Sequence, residues 1–271
     1  MRRFVRRVPN PLRRAASRAL SKEAMAELIR HLKELRMQGR ILVDDTLAAP
    51  RWTKDSFGLP RRLLKFGFNA ILESLPVGAA RKRWWHRNGD CGRCGAYQTV
   101  HHVMANCKSL LEAGYYTMRH NAVLRLLLDF LLAHVGEEWT VMVDLPDLPS
   151  SYRRLPNSWT LSEQRPDLVI YRDNLIILIE LTVPADIGCA AAKLRKEVRY
   201  DSLVSEISKP DRPCNLVTVE VGALGSFPVN LLRPFTDLCP KASKADINAL
   251  LLALSIAALS ASEEIYRHRD A

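Results

Sequence analysis

No apolar run in this 271-residue chain is long enough to cross a bilayer. The longest, Ile247–Ala258, falls short of the ~20 residues that a spanning helix needs and reads as the core helix of a soluble protein. A secretory signal is also lacking, so the six cysteines are not expected to build a disulfide framework. Acid is missing where base is dense: residues 1–20 hold seven arginines and neither aspartate nor glutamate. Pro9 and Pro11 prevent a continuous helix there. A nucleic-acid-binding arm, an Arg-rich mitochondrial targeting peptide and a solvated tail all fit this composition.

What is present points to a polyanion. Forty Lys and Arg against 29 Asp and Glu give a formal charge of +11, with a pI near 9.6, and nucleic acid is the commonest partner of so basic a chain. The length suits one to two domains with a real core. Residues 21–39 read as an amphipathic helix, with Ser21 as N-cap, apolar positions at Met25, Leu28, Ile29, Leu32 and Leu35, and Gly39 as its end. Asp44 and Asp45 lack the palm domain that would make them a polymerase metal site, and read as loop acids.

Residues 59–80 contain a second helical stretch, LPRRLLKFGFNAILESLP, where Arg61, Arg62 and Lys65 recur near Phe66 and Phe68. RKRWWHR follows at 81–87. Its interleaving of Arg81, Lys82 and Arg83 with two indoles suits phosphate contact plus base stacking. Packing of Trp84 and Trp85 against the next module is the competing reading. That module is Cys91-x2-Cys94-x7-His102-x4-Cys107. Four thiolate and imidazole donors at this spacing close a tetrahedron around Zn²⁺ and leave no open position, so the role is structural. His101 competes with His102 as the ligand, and the step to Cys107 favours His102.

Beyond the knuckle, a long amphipathic helix is expected over 116–135, a strand over 139–145 and a Pro-rich loop over 146–156. Then come two β-rich runs, 168–172 and 175–181, around the turn dipeptide Asp173-Asn174. A two-residue loop at that dipeptide puts Asp167 directly opposite Glu180. Opposed residues share a sheet face with Cβ atoms roughly 4.5–5.5 Å apart, and a slip of one residue would separate them. A carboxylate inside LIILIEL is expensive to bury unless paired or metal-bound. Two carboxylates in this position suit Mg²⁺. A helix over 190–203 brings Lys193, Lys196 and Tyr200 to one face. A strand at 217–221 and helices near 229–238 and 243–267 complete an α/β sheet flanked by helices. Asp167 and Glu180 are therefore candidate Mg²⁺ ligands, and Lys196 the candidate charge stabiliser with Lys193 as second choice. Tyr200 would orient the lysine or meet the DNA backbone.

These residues carry a family resemblance. Asp167, Glu180 and a nearby lysine resemble the PD-(D/E)xK nuclease core. LLKFGFNA (63–70), the Cys-Cys-His-Cys knuckle, Arg119-His120-Asn121, Arg165-Pro166-Asp167, Glu180-Leu181-Thr182, Lys196-x2-Arg199-Tyr200 and VEVGALGSFP (219–228) stand in one order. That order resembles the C-terminal half of site-specific non-LTR retrotransposon proteins of the restriction-like-endonuclease class. The resemblance implies a restriction-endonuclease-like domain over 113–271, after a basic helical region (1–85) and a zinc knuckle (86–112). It implies a nuclear enzyme that nicks DNA for target-primed reverse transcription, with Arg81, Lys82, Arg83, Arg119, His120 and Arg165 contacting nucleic acid. Target DNA is the expected partner and element RNA a further candidate. No membrane is expected, and a second copy is one route to cutting both strands. Glu180 stands where that family usually has Asp, and Thr182 where the common ExK form has its lysine. The reverse transcriptase is absent, which fits a fragment, a truncated copy or a host-adopted nuclease. A catalytically inactive binding remnant is the alternative function.

Overall fold

The computed structural model describes residues 21–24, 26, 27, 30, 47–54, 58–149, 154–229, 231 and 233–270. The Arg-rich segment at 1–20 and the acids at 44 and 45 lie outside them, and the described positions of the helix expected over 21–39 are helical. Residues 45–271 form one compact unit and 1–44 another. The expected boundaries at 85/86 and 112/113 fall inside the larger unit.

Its elements run β1 (Leu47–Ala48), α1 (Arg61–Ile71), α2 (Gly78–Trp85), α3 (Lys108–Glu112), α4 (Tyr115–His134), β2 (Thr140–Val143), β3 (Leu168–Arg172), β4 (Leu175–Thr182), α5 (Cys189–Ile207), β5 (Cys214–Glu220), β6 (Phe227–Pro228), α6 (Arg233–Leu238) and α7 (Lys244–Arg267). Four strands form a mixed sheet in the order β2-β3-β4-β5, and β1 pairs with β6 apart from it. The β3–β4 hairpin turns at Asp173-Asn174, with Leu168 opposite Ile179 and Arg172 opposite Leu175. Helix α5 is the crossover that lets β5 lie parallel to β4.

The period-2 alternation of β4 sorts its side chains between two cores. Ile177, Ile179 and Leu181 pack with Leu124, Leu127 and Leu131 of α4 and Leu250 and Leu254 of α7. Ile176 and Leu178 face Tyr200, Leu203 and Ile207 of α5. A third core joins α1 and the Cys/His segment to Leu259 and Ile265 of α7. Helix α7 thus serves two cores, and at 24 residues it is longer than the apolar run read from sequence. By length and composition alone it would pass for a membrane span; in the fold its buried face also carries Ser255, Ser262 and Glu263.

Two departures from the sequence reading have local causes. The helical stretch expected within 59–80 (LPRRLLKFGFNAILESLP) stops at Ile71, and α2 starts afresh at Gly78, because Glu73 adopts a left-handed φ of 49° and Pro76 cannot continue a helix. Strand β5 starts three residues earlier than expected, at Cys214, where parallel pairing with Ile176 recruits a stretch of weak β propensity.

The segment 222–226 is the corner where sheet and third core meet. A Cβ on Gly222 would lie 2.2 Å from Asp186 Oδ1, so only glycine fits there. Asp186 accepts hydrogen bonds from the Leu224 N–H (2.9 Å) and the Ser226 N–H (3.1 Å). The Trp52 indole donates to the Leu224 carbonyl at 2.7 Å. Gly67 of α1 lies against this indole, 2.6 Å from ring carbon to a notional Cβ, which accounts for glycine in LLKFGFNA.

A carboxylate–lysine site and a candidate metal knuckle

Cys91, Cys94, His102 and Cys107 offer donor atoms that all lie within 4.8 Å of one another, a group that could hold a metal ion. Cys91 Sγ is 3.9 Å from Cys107 Sγ, Cys107 Sγ is 3.8 Å from Cys94 Sγ, and Cys94 Sγ is 3.4 Å from His102 Nε2. Tetrahedral Zn–S bonds of about 2.3 Å require S···S separations of roughly 3.8 Å. The donor set and spacing are compatible with zinc. Burial would raise the Cys91 thiol, but the backbone N–H groups of Cys94 and Arg93 outweigh it and hold the pKa below the ordinary value. Burial lowers the His102 imidazole, and charge on His101 adds to this, which favours the neutral ring a metal needs. His101 is exposed in its bonding instead: its Nδ1 meets Asn106 Nδ2 at 2.8 Å. None of the six cysteines is in a disulfide.

The hairpin register places Asp167 across from Glu180. Glu180 is fully buried on the α5 side of β4. The Asp167 N–H donates to Glu180 Oε1 at 3.1 Å, and the Leu181 N–H donates to Asp167 Oδ2 at 2.8 Å. Lys196 of α5 pairs with Glu180 Oε2 and reaches to 3.9 Å from Asp167 Oδ2. The Tyr200 hydroxyl, one turn on, donates to the Arg165 carbonyl at 3.1 Å and lies in reach of the Glu180 carboxylate. From α4, His120 Nε2 lies 3.2 Å from Asp167 Oδ2 and 3.3 Å from the Leu181 carbonyl.

The two acids are pushed apart electrostatically. Burial raises Glu180, and the Asp167 charge raises it further against the pull of Lys196. Burial alone would raise Asp167 as well, but the His120 hydrogen bond and the charges of His120 and Lys196 hold it below the carboxylate range. Tyr200 is raised by burial and by Glu180. His120 is raised, because Asp167 more than offsets the opposing effect of burial. Such a pair suits chemistry in which one acid stays ionised beside a cation.

Not every expected residue joins this site. Lys193 turns outward, half exposed, with Nζ 3.8 Å from Glu197 Oε1. Arg165 is half exposed, 3.7 Å from Asp144 Oδ1, at the mouth of the site. Arg119, expected to contact nucleic acid, is only 2% exposed and cannot reach a phosphate. Its guanidinium donates to the Met104 carbonyl (2.9 Å), Ser262 Oγ (3.0 Å) and the Val183 carbonyl (2.8 Å), tying the knuckle, α7 and the end of β4 together. Arg81 is held by Gln98 Oε1 (3.1 Å) and Asp270 Oδ2 (3.2 Å), whereas Lys82 and Arg83 are exposed. His120, expected at nucleic acid, instead braces Asp167.

Sequence reasoning missed Asp186, whose partners lie about forty positions away and carry no local signal. It also passed over the buried Glu220, which pairs with Thr182 across the parallel strands and therefore shares the α5 face with Glu180. Glu220 Oε1 has no hydrogen-bond partner among the described residues. No family model matches the chain, and no curated protein matches it.

Proposed function

We propose that this chain is a Mg²⁺-dependent DNA endonuclease of restriction-like architecture and retrotransposon origin, carrying a structural Zn²⁺ in its Cys-Cys-His-Cys knuckle. The convergence of Asp167, just before β3, Glu180 of β4 and Lys196 of α5 is the observation that carries this reading. Their chemistry fits Mg²⁺: two hard carboxylates meet across a hairpin, and one ammonium bridges them where a cation is called for. Asp167 and Glu180 would hold the ion. When bound, it would polarise the phosphoryl oxygen and acidify the attacking water.

The chain's own residues supply the rest. The water oxygen bonds to phosphorus as the bond to the leaving 3′-oxygen breaks, and negative charge grows on the phosphoryl oxygens. Lys196 offsets that charge with a positioned ammonium. His120 fixes the orientation of Asp167, and Tyr200 that of Glu180. Arg165 at the mouth is placed to meet a flanking phosphate, as are the exposed Lys82 and Arg83. The proposed setting is the nucleus, with target DNA as substrate, element RNA as a further partner and a second copy where both strands are cut.

Supercoiled plasmid in Mg²⁺ tests the reading. Wild type should nick it, while Asp167→Ala and Lys196→Ala should bind DNA without nicking. A wild type that binds and does not nick would leave the chain as a binding remnant of a mobile element.

A further inference from the structure

The most exposed aromatic surface of the described residues lies on the knuckle, not on the sheet. Trp84 and Trp85 at the end of α2 are 45% and 53% exposed, and Tyr97 is 50% exposed. Indoles normally bury, so a pair left this open asks for an occupant. The indoles stand 5.7 Å apart at 80° to each other and so present two separately oriented faces. Lys82 Nζ lies 5.6 Å from the Tyr97 ring centroid, and Trp85 is one turn further along the same side of α2. Arg83, His86 and Arg87 are exposed beside them. The acids near them are Asp90, exposed, Glu73, which feels the charge of Arg83, and Asp270, which pairs with Arg81. Cation outnumbers acid here.

The surface is also held rigid. The Gly78 N–H donates to Gln98 Oε1 and the Ala79 N–H to the Gln98 carbonyl, both at 2.8 Å. A Cβ on Gly78 would lie 2.1 Å from the Gly89 carbonyl oxygen, so α2 presses directly on the strand bridge that opens the knuckle. His86 then ends α2 in the left-handed region, at φ 53°, and turns the chain back. The helix that carries the two indoles is therefore anchored to the knuckle by its backbone.

We infer that Trp84, Trp85 and Tyr97, flanked by Lys82, Arg83 and Arg87, form a dock for unpaired nucleic acid. In a duplex the base faces are already stacked on one another. Only an unpaired strand can offer a face to an indole while its phosphates meet the cations. The dock is independent of whether the chain cuts.

The test is the affinity of the full chain, zinc-loaded, for labelled oligo(dT) and for a duplex of equal length. The double substitution W84A/W85A should weaken oligo(dT) binding roughly tenfold or more, with duplex affinity changed less than about twofold. Wild-type tryptophan fluorescence should be quenched by oligo(dT). Lys193→Ala, on α5 and paired with Glu197 outside both sites, should bind oligo(dT) as wild type does, whichever way the nicking assay falls. If W84A/W85A fails to fold, Trp85→Phe and the quenching titration decide, with Phe retaining most of the affinity. Equal loss for duplex and single strand, absence of quenching, or a second copy of the chain covering this face at micromolar concentration would overturn the dock.

Discussion

Asp167 and Glu180 each accept a hydrogen bond from the other's strand. The Asp167 N–H meets Glu180 Oε1 at 3.1 Å, and the N–H following Glu180 meets Asp167 Oδ2 at 2.8 Å. The hairpin thus clamps both carboxylates toward α5 and the Lys196 ammonium. Such preorganisation is what a charge-stabilising site requires.

Lys196 and Lys193 sit less than one turn apart yet should behave oppositely. Lys196→Ala should lower the single-turnover nicking rate roughly 10²-fold or more, the usual cost of removing a transition-state charge partner. Lys193→Ala, exposed and paired with Glu197, should stay within about twofold of wild type. Equal effects would mean that the ammonium bridging the acids is not the functional one.

His120→Ala should leave the fold intact and slow nicking without abolishing it, by about tenfold, as expected when a positioning group is lost. His120→Asn, which retains a short hydrogen-bonding side chain, should recover part of the loss. Rates of wild type and both variants at saturating Mg²⁺ separate this from a change in metal affinity. Complete loss of nicking in both variants would make His120 a direct participant.

One zinc per chain should be released when Cys107→Ser is compared with wild type in a colorimetric chelator titration. Metal removal should also lower the thermal midpoint, because Cys91 and Cys107 are part of the third core beside Leu110 and Val103. A chelator that strips the metal and leaves the melting curve unchanged would show that the knuckle does not support this core.

Arg119→Ala should cost roughly 2–4 kcal/mol in urea unfolding, since it takes the donor from the buried Met104 carbonyl and the half-buried Val183 carbonyl. Measured under conditions where it remains folded, the slope of DNA affinity against salt should match wild type. A slope smaller by about one would restore Arg119 as a phosphate contact.

Several features were legible in the sequence because their causes are local. A turn dipeptide between two β-rich runs specifies the hairpin register, and period-2 alternation then puts Glu180 on one definite face. Knuckle spacing likewise selects Cys91, Cys94, His102 and Cys107, for ligands this close along the chain need little from the rest of the fold. The alternation of helix, strand, hairpin, helix and strand was enough to read an α/β sheet flanked by helices, which the structure shows to be mixed.

The tertiary structure alone decided which neighbours those residues meet. Helical spacing grouped Lys193 with Lys196, but only the approach of α5 to β4 turns Lys196 inward and leaves Lys193 outside. Arg119 looked like any other cation, until packing of α4 between the knuckle and α7 closed it off from solvent. Asp186 and the segment 222–226 recognise each other across the fold through buried hydrogen bonds. Periodicity and spacing report which side of an element a residue occupies. What lies opposite depends on how distant elements pack, and burial of a charge is tolerated only where that packing supplies partners.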